Sequence, residues 1–149
     1  MTSEIDNFAE DLQEQMGAGY TEIVIDHARN PRNVGSIPNA DGFASVTGPC
    51  GDTVELWLKV RDGIIKQATF WTDGCGTTVA AGSMVTEIAK GKAISNAFKI
   101  AQQDVLDALG GLPEDNVHCA LLAANTLKEA IKDYLANRNE PWKRAYGKV

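Results

Sequence analysis

The order of segments in this 149-residue chain predicts an α+β fold: a three-stranded antiparallel sheet packed against helices, with an extra amphipathic helix at the N-terminus. Three observations carry the prediction. Val54, Leu56, Leu58 and Val60 alternate with Glu55, Trp57 and Lys59, the period of a half-buried strand. Arg61-Asp62-Gly63 supplies a tight turn, after which residues 64–72 return with β-branched and aromatic side chains. Beyond Gly76 the composition becomes helical and stays so.

The elements follow in order. Residues 3–16 place Ile5, Phe8, Leu12 and Met16 on one helical stripe, with Ser3 as N-cap and Asp6 three residues on. Gly17 and Gly19 break that pattern, and a second short helix over 21–29 stops at Asn30-Pro31, because the residue before a proline disfavours helical backbone. A loop over 30–41, with Pro31, Gly35 and Pro38, leads into strands over 43–47, 54–60 and 64–72, the simplest topology being a meander. An Ala-rich helix over 77–90 puts Ala80, Met84 and Ile88 on one stripe and ends at Gly91. Ser95 and Asp104 read as caps of two shorter helices, the second ending at Gly110-Gly111. The last long helix, over 117–136, has Ala120, Ala124, Leu127, Ile131 and Tyr134 as its inner stripe. Three units result: an N-terminal helical extension (1–19), one α+β domain (20–136) and a C-terminal tail (137–149).

Composition narrows the function. With 44% hydrophobic and 23% charged residues the chain is neither collagen-like nor disordered. Fourteen basic against twenty acidic residues leave a net charge of −6, without the basic footprint of a nucleic-acid binder. The longest apolar runs, such as residues 120–124, are far too short for a bilayer. Before Arg29 there are seven acidic residues and no Lys or Arg, the reverse of a presequence, so the expected location is cytoplasmic. Three cysteines cannot all pair, and a chain of this length needs no disulfide staples, so reduced thiols are expected.

The thiols sit in Pro49-Cys50-Gly51-Asp52, Asp73-Gly74-Cys75-Gly76 and Val117-His118-Cys119-Ala120, one between two strands and two at helix starts. A helix N-terminus favours thiolate over thiol, which marks Cys75 and Cys119 as chemically competent. Glycines flanking Cys75 and following Cys50 let backbone approach a bulky ligand. Three readings stand at this point: buried structural cysteines, a metal or cluster site, or a catalytic nucleophile. The last is weakened because His118 and Cys119 are adjacent and do not face each other as a general-base pair. Soft thiolates with one nitrogen or carboxylate suit zinc or an iron–sulfur cluster, and either His118 or Asp52 completes four ligands. A carboxylate is a hard partner for cluster iron and would leave the centre labile, which suits a store or scaffold. His27, beside Asp26 at a helix end, reads as a satisfied histidine.

Taken in order, Tyr20, Asp26-His27, residues 30–35 (Asn-Pro-Arg-Asn-Val-Gly), the three cysteine segments and Leu122-Ala123 resemble the IscU family of iron–sulfur cluster assembly scaffolds, which includes the N-terminal domain of NifU. The resemblance covers about residues 20–135. It implies a scaffold or carrier, not an enzyme, on which Cys50, Cys75 and Cys119, with Asp52 or His118 alongside, hold a [2Fe–2S] cluster that Asp52 keeps transferable. It further implies that Cys119 accepts persulfide sulfur from a cysteine desulfurase. Ferrous iron, a ferredoxin-type electron donor, a frataxin-like protein and apo-protein acceptors would complete the cycle, with zinc able to occupy the same ligands.

Two departures qualify the resemblance. Where many IscU proteins carry Leu-Pro-Pro-Val-Lys, this chain has Leu112-Pro113-Glu114-Asp115-Asn116, exchanging a basic residue for two acidic ones, which puts recognition by the release chaperone in doubt. The N-terminal stripe is additional, free to pack on the body or to mediate a homo-oligomer. Two other functions compete. A zinc-dependent sulfur acceptor of the SufU kind would carry a long insertion between the second and third cysteines and a basic residue before the third; here those cysteines are 44 positions apart and His118 precedes the third. A structural zinc module would unfold on losing its metal.

Overall fold

Alternation in the middle strand sets the architecture. Val54, Leu56 and Leu58 are fully buried, while Glu55, Trp57 and Lys59 occupy the opposite face. The computed structural model describes residues 19–139. Its elements are α1 (Glu22–Arg29), β1 (Gly42–Thr47), β2 (Thr53–Arg61), β3 (Ile64–Thr72), α2 (Gly76–Ala89), α3 (Ile94–Ala97), α4 (Gln102–Leu109), a 3-10 turn (Glu114–Asn116) and α5 (Val117–Asn139). The expected helix over 3–16 and the tail beyond 139 lie outside the described residues. Among these, no helix is long and apolar enough to cross a membrane.

The sheet is the expected meander, with β1 antiparallel to β2 and β2 to β3. Asp62 and Gly63 both take positive φ, 55° and 74°, the backbone a two-residue hairpin turn demands. Pairing slips by one residue after Lys59: Lys59 faces Gln67 and Val60 faces Ile65, leaving Lys66 over as a bulge. Ile65 and Ala68, three apart, therefore both reach the core. The alternation pattern alone gave no sign of that bulge.

Helices cover the inner face. α5 crosses β1 and β2 and buries Ala120, Ala124, Leu127 and Ile131 as expected, along with Ala123 and Ala130, and it runs three residues past its predicted end. α2 departs further from expectation. It packs on α1, β3 and α5 at once, so Thr77, Thr78, Ser83 and Thr86 are buried along with Ala80 and Met84 of the apolar stripe, whose Ile88 is half-buried. Ser95 is not a cap: Ala93 holds that position and Ser95 lies inside α3. Asp104 is likewise the third residue of α4, where its carboxylate accepts the N–H of the capping Ala101 at 2.8 Å.

The Asp26 to Gly35 stretch is a clamp. Asn33 O accepts the N–H of Phe70, and the Gly35 N–H donates to Phe70 O, so the loop docks along β3. His27 is buried with Nδ1 2.7 Å from Ser83 Oγ, which also accepts the Arg32 N–H at 2.9 Å. Asn33 Nδ2 donates to Thr86 Oγ1 and to Glu87 Oε2. These bonds fix α1 and the loop on α2, the helix whose N-cap is Cys75.

Candidate functional site

Sheet and helices deliver the three thiols to one end of the molecule. Cys50 lies in the β1–β2 connection, whose ends are joined by the Thr47–Thr53 hydroxyl contact at 2.8 Å and by the Gly48 N–H donating to Asp52 O. Cys75 is the N-cap of α2. Its approach is pinned to β2, where the Thr53 N–H donates to Asp73 Oδ1 at 2.9 Å and Thr72 Oγ1 donates to Thr53 O. Cys119 is in the first turn of α5 and buried, whereas Cys50 and Cys75 are exposed.

The expected site residues touch in a chain. His118 Nε2 lies 3.6 Å from Cys50 Sγ and 3.7 Å from Cys119 Sγ. Both separations fall within the edges of a tetrahedral zinc site, about 3.3–3.8 Å for bonds of about 2.0–2.3 Å. Adjacency therefore does not keep His118 from Cys119, contrary to the helix-spacing argument. On the other side Thr78 Oγ1 donates to Asp52 Oδ2 at 3.0 Å, with Cys119 Sγ at 3.5 Å and Cys75 Sγ at 3.8 Å. Links run pairwise: among the described residues, no three His, Cys, Asp or Glu side chains converge in metal-holding geometry. The donor set itself, three thiols with an imidazole and a carboxylate, is that of a soft metal or cluster site.

Electrostatics separates the two helix-start thiols that the sequence treated alike. The Cys119 thiol donates to Cys75, and the backbone N–H groups of Thr78 and Thr77 favour the Cys75 thiolate even without a capping hydrogen bond of normal geometry, bringing it down to about 4 against the opposing pull of burial. The same bond pushes the Cys119 thiol up, and burial adds to it. The pair thus favours the thiolate on Cys75 and the thiol on Cys119.

Glycine at 74 has a different reason from the one its flanking position implied. An added methyl there would lie 2.8 Å from Thr78 Cβ and 2.9 Å from Asp52 Oδ2, so its space is taken by the protein's own side chains. Thr77 and Thr78 are the site residues that sequence reasoning passed over. Thr77 accepts or donates one hydrogen bond with the buried Tyr20 hydroxyl at 3.0 Å. A pair of threonines in the first turn of an Ala-rich helix, directly after a cysteine, was the available signal.

Comparison with known proteins identifies the family of the chain. The sequence profile of the NifU-like N terminal domain matches residues 19–141. An iron–sulfur cluster assembly scaffold protein IscU from Archaeoglobus fulgidus is 49% identical over 116 residues, covering 77% of this chain and 76% of the relative. IscU from Escherichia coli is 47% identical over 124 residues, covering 80% of this chain and 96% of the relative. In fold, the chain is similar to a crystal structure of a scaffold candidate for the SUF system from Fervidobacterium islandicum, with TM-score 0.64 and 24% identity over 77% of this chain and 99% of that one. The profile match and these identities establish that the chain belongs to the NifU-like N-terminal domain family, the family of the IscU scaffolds.

Proposed function

We propose that this protein is a scaffold on which a [2Fe–2S] cluster is assembled from iron and desulfurase-derived sulfur and then passed to apo-proteins. One observation carries the reading: thiols from three separate segments meet at one end of the fold, linked through His118 and Thr78 to each other and to Asp52. Near-half identity to proteins named as cluster assembly scaffolds supports it.

Cys50, Cys75 and Cys119 hold the iron, with His118 or Asp52 as the fourth ligand, and zinc fits the same donors. Sulfur arrives when the Cys119 thiolate attacks the outer sulfur of a desulfurase persulfide; the S–S bond breaks and the desulfurase cysteine leaves as thiolate. In the closed arrangement Cys119 is buried and keeps its proton, so attack requires the Cys75 charge to be neutralised and the thiol uncovered. Iron held at the Cys75 thiolate would neutralise that charge. Reducing two such sulfurs to sulfide takes four electrons, of which two ferrous ions supply two on becoming ferric and a ferredoxin-type donor the rest. A desulfurase, an iron source of the frataxin kind and apo-protein acceptors are therefore its partners, and the protein carries its cargo without turning over a substrate of its own.

Anaerobic reconstitution with ferrous iron, L-cysteine and a desulfurase tests the ligand set. Cys50→Ser, Cys75→Ser and Cys119→Ser should each weaken the cluster's absorption and Mössbauer signature, and Cys119→Ser alone should also lose persulfide in trapping experiments. Persulfide that collects on Cys50 instead would remove Cys119 from its role.

A further inference from the structure

We infer that Thr78 is a positioning residue that ties the Asp52 carboxylate to the start of α2 and so holds it ready as a metal ligand. The inference rests on the reading of Asp52 and the three thiols as ligands. Thr78 is 1% exposed, and its hydroxyl points at three functional groups from one place: Asp52 Oδ2 at 3.0 Å, Cys119 Sγ at 3.5 Å and Cys75 Sγ at 3.8 Å.

A hydroxyl has one proton to give. The carboxylate is the strongest acceptor of the three and the nearest, so the proton goes to Asp52 Oδ2. A threonine in a helix ordinarily bonds back to a carbonyl one turn earlier, as Thr86 and Thr126 do with Gly82 and Leu122. Thr78 instead bonds a side chain 26 residues away in another loop. Asp52 Oδ1 carries no hydrogen bond from the described residues, so tethering through Oδ2 leaves one oxygen open for a metal. That division, one carboxylate oxygen held by an outer hydrogen bond and one free, is how outer residues orient a ligating carboxylate.

Gly74 provides an independent sign that the pair is a fixed unit. Its α-carbon sits so close over Thr78 and Asp52 that a methyl group would meet both, at 2.8 Å and 2.9 Å. Gly74→Ala should therefore wedge the tether apart without removing either polar group. Its effect should parallel that of deleting the hydroxyl.

The test is anaerobic titration with Co2+, read by thiolate-to-cobalt charge-transfer absorption, with circular dichroism confirming that each variant is folded. Thr78→Val should weaken Co2+ binding about tenfold and Thr78→Ser should restore it, the loss typical of removing an outer hydrogen bond to a ligand. In an Asp52→Ala background, Thr78→Val should add nothing, because its partner is already gone. An equal further loss in that background, or no loss in the single variant, overturns the inference while leaving the thiol site standing. A parent protein that binds no Co2+ overturns the site reading, and this inference with it.

Discussion

Cys75 and Cys119 differ in which favours the thiolate, and their reactivities follow from that difference. Cys75 is a thiolate at neutral pH, held near 4 by the Cys119 thiol and the N–H groups at the start of α2, and it is exposed. Cys119 is buried and protonated. Brief treatment of the metal-free protein with iodoacetamide at pH 6.5 should label Cys75 first and Cys119 last, as mass spectrometry of the peptides would show; preferential labelling of Cys119 would contradict the proton assignment. Asp52→Ala should slow cluster loss several-fold, since it removes the hard ligand that gives iron an exit, and equal or faster decay would reject that role. All five candidate ligands were legible in the sequence because their segments carry turn and helix-start signals. Thr78 was not, because nothing in the order of residues shows that a helical threonine lies against a carboxylate 26 positions earlier.

α2 is the element on which the site depends, and its packing is tighter than its apolar stripe implies. A methyl group added at Gly82 would come within 2.6 Å of the Phe70 ring, a fully buried side chain that cannot swing into solvent. Gly82→Ala should therefore destabilise the fold by about 1–3 kcal/mol, the usual cost of overpacking, read as a lower denaturation midpoint. An unchanged or raised midpoint would mean that the ring yields. At α4, Asp104→Ala should cost about 1 kcal/mol by releasing the Ala101 N–H, even though Asp104 is not the cap itself. Strand alternation, the Asp62-Gly63 turn and the terminating glycines made the elements readable, because each is a local signal. Caps near Ser95 and Asp104 were misplaced because short polar residues act at several positions of a first turn. The bulge at Lys66 and the burial of polar residues on α2 depend on partners distant in sequence.

For the molecule as a whole, the core is built from apolar side chains: β2, β3, α2 and α5 bury Leu56, Leu58, Phe70, Val85, Leu127 and Ile131 fully. Chelation should leave far-UV circular dichroism largely unchanged, whereas wholesale loss of helix signal would favour a structural zinc module. Acid should act through the clamp. Burial, with the Arg32 guanidinium, holds His27 below its ordinary 6.5, while Arg32 and Asn33 hydrogen bonds hold Asp26 and Glu87 below their ordinary 3.8 and 4.5. Each group takes up protons more readily unfolded than folded. The His27 contribution is whole above pH 6.5 and is lost as the pH falls from there through its lowered folded value, at about 1.4 kcal/mol per pH unit of depression; the two exposed carboxylates add losses only in stronger acid. Urea midpoints at pH 7.5 and 5.5 should show this fall in the parent protein, and a parent midpoint independent of pH would refute it.

Cluster transfer is the most direct test of the central claim. After anaerobic assembly with ferrous iron, L-cysteine and a desulfurase, addition of an apo-ferredoxin should move the [2Fe–2S] absorption and Mössbauer signature from this protein to the acceptor. A protein that takes persulfide on Cys119, keeps zinc and never yields a cluster would contradict the account and make it a sulfur carrier.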